Sequence, residues 1–258
     1  LVVTDEERTA EVVDACKISK ESEYIARRRK AGGKAAAVKP RPKGPKAKPV
    51  KSVSGKGLVL HLKAEDIEHS EKWGGASQPQ KAFRPSVVAS LGGRRAFKFD
   101  GADDRLEIAH REDLSFEKNE AYSLAAWVYI DGSSPGWKAL VNKSRAKSDW
   151  YGVWINEQGH WIMGGQNSNV EGPRVTRGWH HVCITQGTSE RFLFVDGHLA
   201  AYGAGSVAAD GEGALWIGGA PSEEEFFSGG INELRIYRRA LSAGEVSRLS
   251  DQPVGLAS

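Results

Sequence analysis

Residues 178–200 read GWHHVCITQGTSERFLFVDGHLA: two runs rich in β-branched and aromatic residues, WHHVCITQ (179–186) and RFLFVDG (191–197), with a short polar break between them. Such side chains suit a pleated, half-buried surface, and Asp196-Gly197 set between β-type residues is the strongest short-range hairpin signal in the chain. The stretch predicts two strands and a tight turn into a third. Outward in both directions the same alternation of run and turn repeats. Before it lie LVLHL (58–62), RAFKF (95–99), RLEIA (105–109), YSLAAWVYI (122–130), WKALVNK (137–143), YGVWI (151–155) and HWIMG (160–164); after it come ALWIGG (214–219) and INELRIY (231–237). Eleven runs separated by Gly, Asp, Asn and Ser, with no long helical period between them, predict an all-β, two-sheet antiparallel jelly-roll sandwich. In SAGEVSRLS (242–250), Ser242 stands as N-cap with Glu245 three residues on, which predicts a short closing helix.

The 258 residues divide by charge as well as by pattern. Residues 27–56 carry twelve Lys or Arg and no Asp or Glu, whereas the flanking segments are net acidic. Between Ala31 and Lys56, four prolines and no large apolar residue leave nothing to anchor a core, so 31–56 reads as a disordered basic linker. An anionic polymer or surface is the partner that such a segment would take, through counterion release. Residues 1–30 hold apolar side chains at near-helical spacing behind a Thr4/Glu7 capping box, which reads as a short helix or the tail of an upstream domain. The domain proper is expected over 57–250, with a C-terminal tail at 251–258. No run approaches the ~18 consecutive apolar residues of a spanning helix, and no membrane span is expected. Cys16 and Cys183 fall in different units, with nothing in their spacing to suggest a disulfide; Cys183 reads as a small packing residue.

Four stretches, AFKFDGADDRLEI (96–108), YSLAAWVYID (122–131), 178–200 and FSGGINELRIYRRALSAGEVSRL (227–249), together resemble the laminin G-like and pentraxin-like branch of the concanavalin A-like lectins and glucanases. The resemblance covers about residues 57–250 and implies a secreted or cell-envelope setting. It also implies a calcium held near the Phe-Asp-Gly turn and on the last long strand. The matching positions are Asp100, Gly101 and Asn232, where Asn232 replaces the family's Asp and removes a formal charge from the site.

The related glucanases set two carboxylates on one face of one strand, so that one attacks while another protonates the leaving oxygen. No run here carries that pattern. Glu223, Glu224 and Glu225 follow Pro221 in a turn and read as solvated loop, and His180 and His181 read as strand packing. No catalytic residue is expected, and the chain is not expected to be an enzyme. For a glycan the usual device is an aromatic platform flanked by amides. Residues 149–169, DWYGVWINEQGHWIMGGQNSN, concentrate such groups, and Trp150, Tyr151, Trp161, Gln166 and Asn167 are the candidate ligand-binding residues. Trp150 and Trp161, in polar or Gly-rich surroundings, are expected to be more exposed than Trp154. The leading functional expectation is a non-catalytic module that binds a glycan or an extracellular protein. The alternative is a structural or assembly subunit with its basic arm on an acidic partner, and the third reading is a degenerate glycoside hydrolase.

Overall fold

The computed structural model describes residues 53–66, 84–132, 136–145, 149–165 and 168–252. The expectations for residues 1–30, for the basic segment up to residue 52 and for residues 253–258 fall outside the described residues.

In strand β5 (Tyr122–Ile130) the two-residue period puts Leu124, Ala126, Val128 and Ile130 on the inner face and Ala125 and Trp127 on the outer, and both sets are buried. A strand covered on both sides belongs in the middle of a sheet, and β5 pairs with β10 (Gly178–Gln186) on one side and β14 (Ser228–Tyr237) on the other. Around them stand β11 (Glu190–Val195), β12 (His198–Ala204), β3 (Arg94–Asp100) and β2 (Ser86–Leu91), in the order β12-β11-β10-β5-β14-β3-β2; β1 (Leu58–Leu62) also pairs with β14. The second sheet runs β4 (Leu106–Ile108), β13 (Leu215–Ile217), β6 (Lys138–Lys143), β7 (Tyr151–Ile155), β8 (His160–Gly165) and β9 (Val170–Arg174), in the order β4-β13-β6-β7-β8-β9. The result is the expected all-β sandwich of two antiparallel sheets.

Three strands, β2, β9 and β12, are additional to the eleven runs, β12 being the strand expected after the Asp196-Gly197 turn. All three lie at sheet edges, where half of the ladder is free and the demand for buried apolar residues falls. Pro173 in β9 is tolerable for the same reason, since a proline lacks the ladder donor. Between β11 and β12 the Asp-Gly turn forms as expected, with φ 52° at Asp196 and 76° at Gly197, the left-handed pair that matches strand twist in a two-residue hairpin.

β14 is shared by two partners along one edge. Its first half, Ser228–Ile231, pairs with β3, and its second, Leu234–Tyr237, pairs with β1. Between them the strand bulges, with one extra residue against β5 and Glu233 at φ 53°, so ladder bonds are interrupted there. The wholly buried Asn232 side chain fills the gap. Its Oδ1 accepts from the Ala64 N–H at 2.9 Å and the Glu233 N–H at 2.8 Å, while its Nδ2 donates to the Arg95 carbonyl at 2.9 Å and the Glu65 carboxylate at 3.1 Å.

The closing helix α1 (Ala243–Ser250) carries both arms of the Ser242/Glu245 capping box. It lays Val246 and Leu249 on the outer face of the eight-stranded sheet, against Ala125, Cys183, Phe194 and Tyr237. Cys183 packs there as a small residue, and burial pushes its thiol pKa up. Between the sheets, Phe116 stacks on Tyr122 at 4.7 Å with the Tyr151 ring 5.0 Å from Tyr122, and the Tyr151 hydroxyl donates to the Leu114 carbonyl at 3.0 Å.

The placement of Trp161 corrects the expectation that it is exposed. Trp161 and Met163 share the inner face of β8, and Trp161 is 1% exposed. Beside it Gly172 of β9 lets Leu193 pack close, since a Cβ there would come within 2.6 Å of Leu193 Cδ2. Tyr151 is likewise core rather than surface. Removing the indole leaves a cavity that the close-packed sheets cannot collapse, so Trp161→Ala is expected to lose about 3–5 kcal/mol in urea unfolding, as large aromatic truncations in cores do.

Candidate ligand-binding surfaces

On the outer face of the six-stranded sheet the same alternation presents Trp216 from β13, Asn142 and Ala139 from β6, Gly152 and Trp154 from β7, and Ile162 and Gly164 from β8. Two glycines let large rings lie against this face. A Cβ on Gly152 would come within 2.8 Å of the Trp154 ring, and one on Gly164 within 2.7 Å of Trp154 and 2.8 Å of Trp150. Trp154 is 2% exposed and forms the support, whereas Trp150, edge-on to it at 5.1 Å, is half-buried. The expected contrast between Trp150 and Trp154 therefore holds.

The loop after β13 pins this surface. The Glu225 carboxylate accepts from Trp154 Nε1 at 2.8 Å and from Arg145 Nη2 at 2.9 Å. The Arg145 guanidinium lies 4.7 Å from the Trp150 ring centre, within cation–π range. Glu223 and Glu224 are exposed as expected, but Glu225 is buried; its role was invisible in a run of three identical residues, because only the left-handed φ of 55° at Glu224 turns the third inward. On the far side of the face, Trp216 is half-buried under Arg105, whose guanidinium is 5.7 Å from the ring. Between the two indoles, Asn142 donates to the Gly219 carbonyl at 3.0 Å. The arrangement offers aromatic rings with charge-neutralised surroundings, suited to the apolar C–H face of a sugar ring.

Of the five candidate ligand-binding residues, only Trp150 reaches this surface. Tyr151 and Trp161 point into the core, and Gln166 and Asn167 lie outside the described residues. Trp216 and Asn142 were missed because they sit in other strands, and Arg145 because it lies in the turn after β6; only the fold brings them beside Trp150.

A second concave feature opens where the sheets part at one end of the sandwich, between the ends of β5 and β14 on one side and of β6, β7 and β9 on the other. It has a volume of about 450 Å³, an apolar floor that includes Ile130, Ile155 and Phe227, and a rim bearing Lys138, Arg174, Arg177 and Glu157.

The expected calcium ligands do not converge. Asp100 pairs with Ser228, four residues along β14 from Asn232, a separation of about 13 Å. Asn232 is committed to the bulge. The Asp100 carboxylate accepts from the N–H groups of Ala102 and Asp103 at 2.8 and 3.3 Å; partial burial raises its pKa, but these backbone bonds outweigh that and leave it lowered. Gly101, at φ 81°, makes the turn possible. Asp103 and Asp104 bring carboxylate oxygens to within 4.8 Å of that of Asp100, and burial followed by the Asp100 charge raises the Asp104 pKa.

With this geometry in place, the family can be assigned. The model of the concanavalin A-like lectin/glucanase superfamily matches residues 100–247, more than half of the chain. The chain belongs to that superfamily. No curated protein sequence matches it. Among solved structures, it is similar to domain 4 of AbnA, a GH43 extracellular arabinanase from Geobacillus stearothermophilus in complex with arabinotriose. The TM-score is 0.58 at 16% identity, over 75% of this chain and 98% of that one. It is also similar to the binding domain of Paraclostridial Mosquitocidal Protein 1 (TM-score 0.57, 14% identity, 76% and 52% covered) and to the botulinum neurotoxin serotype G binding domain (0.57, 14%, 75% and 50%). For the two toxins the chain spans about half of the compared structure. At such identities the likeness is one of fold.

One group elsewhere makes a clear acid-sensitivity prediction. His181, on the outer face of β10 beside Trp127 and beneath no solvent, has no partner for either ring nitrogen. Burial, followed by the Arg235 charge, lowers its pKa from the ordinary 6.5 to about 3. The unfolded chain therefore binds this proton first. The His181 contribution to stability is full above pH 6.5 and is lost as pH falls from there toward 3, at up to about 1.4 kcal/mol per pH unit. His181→Leu is expected to be no less stable at neutral pH and to flatten that slope, as read by urea midpoints across the interval.

Proposed function

We propose that this domain is a non-catalytic carbohydrate-binding module of an extracellular or cell-envelope protein, and that it takes its ligand across the outer face of the six-stranded sheet. The observation that carries this reading is the pair of half-buried indoles, Trp150 and Trp216, laid on a sheet face cleared by glycine and braced by Arg145 and Arg105. Rigid aromatic surface costs little ordering entropy on binding, and the bracing holds the rings before a ligand arrives. One domain of similar fold was solved with arabinotriose, and two toxin neighbours are described as binding domains. Those facts concern other chains, but they fit the reading.

The described strands lack the same-strand carboxylate pair of the related glucanases, which fits a binding role. No described strand carries more than one Asp or Glu, so none sets two carboxylates on one face for attack and protonation. His180 is engaged with Asp196 at 2.9 Å and the Thr176 carbonyl at 2.9 Å, which is a structural brace rather than a free base.

A glycan array followed by calorimetry tests the reading. Trp150→Ala and Trp216→Ala are each expected to weaken binding of the array's best neutral oligosaccharide by about tenfold, the value of one aromatic contact, with the fold retained. Unchanged affinity in both variants contradicts the site.

A further inference from the structure

The cleft at the end of the sandwich has a charge pattern that the Trp surface lacks. Arg111, Arg145, Arg235, Arg238 and Arg239 each reach a carboxylate of the same domain. Arg174, Arg177 and Lys138 do not. Their side chains make no ion pair or hydrogen bond among the described residues, and all three line the one cleft. The single carboxylate in that lining is Glu157; Asp131 borders it, with its own carboxylate accepting from the Ser228 hydroxyl at 3.3 Å. Three cations against one lining anion, gathered over a partly enclosed low-dielectric floor, focus a positive potential into the cleft.

The segment that carries two of these cations is held in place. Thr176 lies between Arg174 and Arg177, and its carbonyl and hydroxyl both contact His180 Nε2, at 2.9 and 3.1 Å. His180 Nδ1 in turn pairs with Asp196 at 2.9 Å. The link from β9 to β10 is thereby tied to the β11–β12 hairpin, so the backbone that carries the two arginines is fixed before a ligand arrives. The turn opposite is also built: Asn156 Oδ1 accepts from the His160 N–H at 2.8 Å, and the Gly159 N–H donates to the Asn156 carbonyl at 2.9 Å, which sets Glu157 and Gln158 at the mouth.

We propose that this cleft binds a carboxylate-bearing sugar residue, a hexuronate or a sialate, as a subsite separate from the Trp surface. Guanidinium groups recognise a planar carboxylate through paired, charge-assisted N–H donors. The apolar floor of Ile130, Ile155 and Phe227 accepts the C–H face of the ring, and Gln158, Thr176 and Ser228 supply neutral partners for hydroxyls. A volume of about 450 Å³ lies within the usual range for small-ligand sites. At the Trp surface, by contrast, the Arg145 charge is already neutralised by Glu225. The proposal rests on the reading of the domain as a glycan-binding module and specifies the acidic component of its ligand.

The test is calorimetry on the full chain with methyl glucuronide, methyl sialoside and neutral methyl glucoside, repeated for the Arg174→Gln/Arg177→Gln variant. Both arginines are exposed, so the variant is expected to keep the wild-type melting temperature. At least one acidic probe should bind about tenfold more tightly than the neutral one, with the advantage removed in the variant and reduced by added salt. Which acidic probe binds distinguishes the two sources. Equal affinity for acidic and neutral probes, no binding at millimolar concentration, or an advantage that survives in the variant overturns the proposal. The two readings fail separately. Loss of acid preference beside intact Trp150-dependent array binding ends only the cleft proposal. Acid preference without Trp150 dependence upholds the cleft and ends the Trp surface.

Discussion

The four contacts of the Asn232 amide hold together the place where the larger sheet changes partners. β14 cannot pair with β3 and β1 over the same residues, so at the exchange the backbone needs substitute donors and acceptors. A carboxamide has both, and Asn232 uses its oxygen on two backbone N–H groups and its nitrogen on the Arg95 carbonyl and the Glu65 carboxylate. It thereby links the ends of β1 and β3 to β14. A carboxylate could serve only the oxygen half, and would face the Glu65 charge directly.

The binding surfaces are consequences of how each sheet disposes of its outer face. On the larger sheet, helix α1 buries the half that carries Cys183 and Phe194. On the smaller sheet, the loop held by Glu225 lays Ala220 against Trp154 but leaves Trp150 and Trp216 half-exposed. The sandwich cannot close completely at its end, because twisted sheets diverge there, and the gap is lined by whatever the chain presents at that end. In this chain the strand ends and the link from β9 to β10 supply Lys138, Arg174 and Arg177.

How much of this was legible in the sequence follows from the range of each interaction. The β-type run that becomes β5 and the Asp196-Gly197 turn are local, and both read correctly; so did the Ser242/Glu245 cap. The edge strands β2 and β9 were missed because an edge needs fewer apolar residues. The site was less legible. Trp150 and Trp161 have similar sequence surroundings, yet one flanks an outer face and the other fills the core, because strand period fixes relative but not absolute facing. The motif position that suggested a metal ligand at Asn232 instead holds a bulge, and the distinction depends on Ala64, Glu65 and Arg95, which are remote in sequence. Arg174 and Arg177 form a local pair, but that they have no carboxylate partner among the described residues emerges only from the fold.

The most direct test compares Asn232→Ala and Asn232→Asp with the wild type in urea unfolding, with and without calcium. Asn232→Ala leaves buried N–H and C=O groups without partners, at about 1–3 kcal/mol each, and is expected to cost several kcal/mol in total. Asn232→Asp loses both amide N–H donors and sets a second carboxylate against Glu65, so it is expected to cost at least as much, with no recovery in calcium. A stable Asn232→Asp protein, or one whose midpoint rises with calcium, would contradict the account and restore a metal to the bulge.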